Sequence, residues 1–229
     1  RMMRRSANGH ISAASNDALA LASGDFIALL DHDDELAPDA LAEMVKAINE
    51  SPDAEVIYSD EDKITTSGVR CDPFFKPDWS PEHFLGQMYT CHLTVARAAL
   101  VCEIGGFRVG VEGSQDYDLW LRMIGRTTHV KHVPKVLYHW RKIPGSAAAE
   151  VEAKPYALEN TRRILQEHTV RTGIDADVVP GEVEHHAQHL GGIGDVFGDE
   201  NTATHDRLRC RRVTPVMIGH GRRHRQADG

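Results

Sequence analysis

Asp31, Asp33 and Asp34 crowd into the short stretch Asp31-His32-Asp33-Asp34-Glu35, directly after the uncharged run Phe26-Ile27-Ala28-Leu29-Leu30. A continuous apolar run of this length reads as a strand buried on both faces of a parallel sheet. Acids at its carboxyl end then sit in the crevice where open α/β sheets bind ligands. Asp31 and Asp33, two residues apart, point the same way in extended chain. They supply hard oxygen ligands for Mg²⁺ or Mn²⁺, ions commonly shared between one or two carboxylates and substrate phosphates. The competing account is an acidic loop at a helix N-terminus, where carboxylates favour the dipole; Glu35 and Asp39 suit that role. For Asp31 and Asp33 the ligand reading is preferred, because a buried strand running straight into three aspartates is an expensive cap. A calcium loop counted from Asp31 would need Gly and Glu where Leu36 and Ala42 stand. An aspartyl-phosphate phosphohydrolase with Asp31 as nucleophile matches until its fifth position, where Glu35 replaces Thr or Val, and it stays as the alternative.

The elements that would position these acids follow from pattern. Ile11 to Ala22 is rich in Ala and Leu and closes on Ser23-Gly24, predicting a helix with a glycine stop. Pro38 opens a second helix to about Ile48, with Leu41, Met44, Val45 and Ile48 on one face. Glu55 to Tyr58 is the next strand, so helices and strands alternate as in an α/β sheet with right-handed crossovers. The chain begins in a loop before a helix, which implies that the sheet's first strands lie outside it and that an edge is left unpaired. From Ser59 to about Tyr89 the chain reads as a long, functional loop. Leu93–Ala96 predicts a strand, Ala98–Ile104 a short helix, Asp116–Ile124 a helix with Leu119, Trp120 and Met123 inward, and Val136–Tyr138 a strand. A last helix is predicted from about Ala153 to His168. The domain is therefore placed at residues 1–178. Residues 179–229 read as a poorly ordered or unrelated tail, with His185, His186 and His189 lacking a completed metal site and seven arginines and no lysine from Arg207 onward.

Of 229 residues, 41% are hydrophobic and 26% charged, the balance of a globular protein with one real core. A net charge of −8 argues against a nucleic-acid partner and suits an enzyme that recruits divalent cations. Cys71, Cys91, Cys102 and Cys210 have neither zinc nor disulfide-framework spacing, so reduced thiols in a cytoplasmic protein are expected. No apolar run approaches the roughly 20 residues of a membrane span; any membrane contact would be peripheral, at the inner face.

LASGDFIALLDHDDELAPDAL, YSDEDK, DPFFKPDWSPE, GGFRVGVEGSQDYDLWLRM and HVPKVLYHWRKIPGS, in that order over roughly residues 8 to 175, resemble the inverting glycosyltransferases of family two, especially bacterial members of polysaccharide and O-antigen assembly. The resemblance implies an α/β GT-A (Rossmann-like) fold, incomplete at its N-terminus, and metal-dependent inverting transfer of a sugar from a nucleotide-diphosphate donor to a hydroxyl acceptor. It implies UDP- or dTDP-sugars as donors, a glycan or lipid-linked acceptor, and Mn²⁺ or Mg²⁺. Asp31-His32-Asp33 takes the DxD position, Asp31 toward the ribose or diphosphate and Asp33 toward the metal, with Asp34 assisting. Gln115-Asp116 stands where the family usually has Glu-Asp, making Asp116 the catalytic base. As a helix-opening residue Asp116 also fits a cap. His139 and Arg141 lie where related enzymes place a histidine near the metal and basic groups near the diphosphate. Asp60, Glu61 and Asp62 are read as a second acidic patch, holding donor or metal or forming a solvated turn. Trp79 and Trp140 are candidates to stack on sugar or to pack in the core. Related enzymes bind the nucleotide base with strands that precede this segment, so a catalytically inactive fragment or binding module is the further alternative.

Overall fold

Strand β1 (Phe26–Asp31) is buried from Phe26 to Leu29, and its alternating side chains feed two different cores. Ile27 and Leu29 join Tyr58, Phe84, Leu119 and Trp120 on one face, while Phe26 and Ala28 join Met44, Ile48, Ile57 and Val95 on the other. Period-two side-chain alternation accounts for this sorting. The computed structural model describes residues 2–143, 155–178 and 213–218.

Helix α1 (His10–Leu21) precedes β1, and the acids at the end of β1 turn into the two-residue strand β2 (Glu35–Leu36). Helix α2 (Ala40–Glu50) buries Ala40, Met44, Ala47 and Ile48. Its inward face is rotated from the expected one: Leu41 is exposed, because Ala40 and Ala47 let the helix sit closer to the sheet. Strand β3 (Val56–Ile64) runs on through Ser59-Asp60-Glu61-Asp62, where a loop was expected. It pairs with the short strand β4 (Arg70–Phe74). Helix α3 (Pro81–Gly86) starts at Ser80, whose side chain accepts from His83 N–H, with Pro81 in its first turn.

Strand β5 (Thr94–Arg97) lies antiparallel between β1 and β3, so the sheet is mixed rather than parallel. The chain leaving β3 stays at that strand's carboxyl end and re-enters the sheet from there, which forces the reversed direction. Helix α4 (Ala98–Glu103) and the Gly105-Gly106 turn follow. Gly106 has φ +68°, and a Cβ there would stand 2.6 Å from Asn16 Oδ1. The Asn16 amide pins this turn to α1 through both hydrogen bonds to the Phe107 backbone. Helix α5 (Gln115–Ile124) buries Leu119, Trp120 and Met123 as expected.

Strand β6 (Val130–Arg141) runs parallel to β3 and antiparallel to β2. Its pairing skips from Val133 to Val136, which takes Pro134 out of the ladder at a bulge. Helix α6 (Pro155–Thr172) rests on α5, with Ser114 Oγ bonded to Ala157 O and Thr161 Oγ1. Strand β7 (Val213–Ile218) pairs in parallel with all six residues of β1. It occupies the edge of β1 that was expected to be open, and it lies in a stretch for which no strand pattern was legible. The order is β2-β6-β3-β5-β1-β7, with β4 on β3. His185, His186, His189, Arg207 and Cys210 fall outside the described residues. Among described residues no helix is long and apolar enough to cross a membrane.

Candidate active site

The carboxyl end of β1, the segment that leads into β5 and the first turn of α5 meet at one crevice. There Tyr138, fully buried on β6, organises the acidic loop. Its hydroxyl donates to Asp34 Oδ2 and accepts from the Asp31 N–H at 3.2 Å. Burial and the neighbouring Asp34 and Asp31 carboxylates push this phenol far above its ordinary range, so it remains a donor. Arg141 binds the same loop from outside. Its backbone N–H donates to Asp34 Oδ1 at 2.7 Å, its Nε donates to Asp33 O at 2.7 Å, and its guanidinium pairs with Glu35. Burial pushes the Asp34 carboxyl from 3.8 up to about 6, against hydrogen bonds from Arg141 and Tyr138 and the pull of His92, with Asp31 adding to the rise. Asp33 lies further out, its side chain 31% exposed and 3.5 Å from His32 Nδ1.

Because β5 runs backwards, the residues that precede it arrive beside Asp31. The ring of His92 stacks on Tyr138 at 4.6 Å and 18°, and meets Trp140 edge-on at 5.5 Å. One donor atom each from Asp31, Asp34 and His92 lies within 4.8 Å of the other two. Two carboxylate oxygens and an imidazole nitrogen form a donor set that fits Mn²⁺ well and Mg²⁺ adequately, leaving positions for water and phosphate oxygens.

Asp116 lines the same crevice. Asp31, His92, Asp116, Trp120 and Trp140 all line one cavity of about 280 Å³. Helix α5 is entered through Ser114, not Asp116; the latter sits in the first turn, its Oδ1 accepting from Tyr117 N–H at 2.9 Å. Burial raises the Asp116 carboxyl above its usual range; His92 and the Tyr117 N–H counter this, and Asp31 adds to it. His10, Glu112 and Tyr156 line the cavity as well.

The second acidic patch is neither a solvated turn nor part of the cavity lining. Asp60, Glu61 and Asp62 are 3%, 6% and 4% exposed, and each has its own cationic or imidazole partner. Asp60 meets His132 at 2.9 Å, Glu61 meets Lys76 at 3.0 Å, and Asp62 meets Arg70 and His139, both at 2.6 Å. The structure thus brings Asp31 and Asp34 together and places Asp116 in the lining of the same cavity as Asp31. Asp33 stays outside the three-donor group, His139 is bonded to Asp62, and Arg141 holds the loop. Trp79 packs with Phe84 and Trp120, whereas Trp140 lines the cavity. His92 escaped sequence reasoning; its one signal is a polar Cys-His pair directly before a strand.

Residues 1–83 match the family model Glycosyl transferase family 2. The chain is 54% identical over 186 residues to the Sinorhizobium fredii (strain NBRC 101917 / NGR234) protein y4gI, covering 80% of this chain and 20% of that one. It is 34% identical over 190 residues to the O-antigen biosynthesis protein RfbC of Myxococcus xanthus, covering 82% of this chain and 15% of that protein. The chain therefore spans a fifth or less of the length of these relatives. The S. aureus TarS 1–349 structure in complex with UDP-GlcNAc superposes with a TM-score of 0.53 at 18% identity, covering 72% of this chain and 47% of that one. That likeness carries the architecture alone, a GT-A Rossmann-like α/β fold. The family match, the relatives and the fold agree, and residues 1–83 belong to glycosyl transferase family 2.

Proposed function

We propose that this crevice binds a nucleotide-diphosphate sugar, UDP- or dTDP-linked, and that the domain transfers the sugar with inversion to a hydroxyl of a glycan or lipid-linked acceptor in polysaccharide or O-antigen assembly. The observation that supports the reading is one cavity lined by both Asp116 and Asp31, where Asp31 converges with Asp34 and His92. Carboxylates at the end of β1 hold the cation, Mn²⁺ or Mg²⁺, with Asp33 on the rim toward the diphosphate. Arg141 keeps the loop in register, and His139 braces β3 against β6 through Asp62. A bound divalent cation supplies charge neutralisation to the leaving nucleoside diphosphate.

Inversion requires the acceptor oxygen to attack the anomeric carbon on the face opposite the departing diphosphate. As the new C–O bond forms and the old one breaks, the hydroxyl proton passes to a carboxylate oxygen of Asp116. A carboxyl raised by burial is a better base than an exposed one, which matches this task. Trp140 offers a ring face to the apolar side of a sugar. Structures of TarS with UDP-GlcNAc and with UDP, similar in fold, support a nucleotide-sugar donor.

Calorimetric titration of the full chain with UDP and dTDP, with and without Mn²⁺, tests the reading. Heat that requires the cation and disappears in the Asp31→Asn, Asp34→Asn double variant is expected. Binding indifferent to both would overturn it.

A further inference from the structure

The motifs YSDEDK and DPFFKPDW supply no residue to the lining of the cavity, yet they contribute the most completely buried ion pair in the described structure. Lys76 has a side chain 0% exposed, and Glu61 is 8% exposed at the side chain. A buried pair of this kind is weak evidence for net stabilisation, because desolvation offsets most of the Coulomb attraction. Its geometry points elsewhere. Glu61 Oε2 accepts from Lys76 Nζ at 3.0 Å and also from the His92 N–H at 2.9 Å. Lys76 Nζ donates in addition to Thr90 O at 2.8 Å and to His92 O. All three ammonium donors are thereby used. The peptide on each side of His92 is gripped, one by the carboxylate and the other by the ammonium.

The ring of His92 is then confined by Tyr138 beneath it and Trp140 at its edge. Tyr138 also holds Asp34 through its hydroxyl. Tyr138 therefore touches all three converging residues, through the Asp31 N–H, the Asp34 carboxylate and the His92 ring, and the Glu61–Lys76 pair fixes the backbone of His92.

Resting on the reading of this crevice as a cation-dependent donor site, we infer that His92 is the third protein ligand of the cation and that Glu61 and Lys76 are positioning residues for it. An imidazole donor on an antiparallel strand's entry segment lets the site hold its ion with Asp33 left outside the ligand set. Removal of an outer partner that orients a metal ligand typically lowers metal affinity about 10- to 100-fold. Glu61→Gln and Lys76→Met should fall in that range although neither residue reaches the cavity.

The test is Mn²⁺ binding to the full chain, followed by electron spin echo modulation of the bound ion, which detects a directly coordinated ¹⁴N. Wild type should show the nitrogen coupling, His92→Gln should lose it, and His139→Gln should keep it. Glu61→Gln, the milder change, and Lys76→Met should bind Mn²⁺ more weakly with a diminished nitrogen coupling, while far-ultraviolet circular dichroism reports a folded chain. Mn²⁺ bound without coupled nitrogen, or with coupling lost only in His139→Gln, overturns the assignment of His92 and leaves the cation site standing. Unchanged affinity and coupling in both Glu61→Gln and Lys76→Met overturns the positioning role. Failure of wild type to bind Mn²⁺ overturns the cation site itself and the inference with it.

Discussion

Replacing Asp34 by Asn should make the metal-free chain more stable at neutral pH. Its carboxyl lies at about 6 in the folded chain against 3.8 as the ordinary value, chiefly because it is buried. A raised carboxyl contributes most to folding below pH 3.8, where both states are protonated, and that contribution is lost as pH rises through about 6. Above it, the folded chain carries an ionised, poorly solvated group, a difference of about 3 kcal/mol at roughly 1.4 kcal/mol per pH unit. Asn cannot ionise, but both groups facing it, the Arg141 N–H and the Tyr138 O–H, are donors. Its amide therefore forgoes one hydrogen bond, worth about 1 kcal/mol. The net gain is about 2 kcal/mol, or roughly 4–8 °C in Tm for a domain of this size. Scanning fluorimetry from about pH 4 to about pH 8 should show the variant ahead at the alkaline end and slightly behind wild type at the acid end, where only the lost hydrogen bond remains. Saturating Mn²⁺ should erase the lead, since an ion bound only by the native carboxylate stabilises wild type more. A variant that melts at or below wild type at neutral pH without metal would refute the desolvation argument.

Two further outcomes are expected. Asp116→Asn should lower transfer about 10²- to 10⁴-fold while UDP still binds in calorimetry, and unchanged turnover would remove Asp116 from the role of base. His132 is buried between Asp60 and Asp78; burial alone would depress it, but the two carboxylates outweigh that and hold it above 6.5. The stability it adds is complete below pH 6.5 and fades as pH rises through the higher folded value. Urea melts should therefore show His132→Gln furthest below wild type at about pH 5.5 and closer at about pH 8.5, and a pH-independent gap would contradict this.

The strand entering the acidic loop and the helix carrying Asp116 were legible because their signals are local: an uninterrupted apolar run, and an apolar side at helical period. Strand β3 was legible only as far as Tyr58. Beyond it the residues are charged, and whether a charge can be buried depends on partners far along the chain, here Arg70, Lys76, His132 and His139. The direction of β5 has no sequence signature, and with it the approach of His92 to Asp31 stayed hidden. Arg141 was expected near the diphosphate from the family resemblance; in the structure its hydrogen bonds go to the loop that follows β1. Asp34 rather than Asp33 faces inward because the turn into β2, closed by the Asp34 N–H to Asp31 O bond, breaks the extended alternation on which the pairing of Asp31 with Asp33 relied.

The separate matching of Asp60, Glu61 and Asp62 bears on the order in which molecules arrive. Three acids that are cancelled in place project little potential into the crevice, so its negative field comes from Asp31, Asp34, Glu112 and Asp116. No lysine or arginine is found among the described residues lining the cavity. A diphosphate approaching alone is repelled at close range, whereas a dication is drawn in by field lines that the surrounding low-dielectric walls concentrate. On the proposed reading, the cation therefore enters before the nucleotide or together with it, and anions that bring no metal are disfavoured.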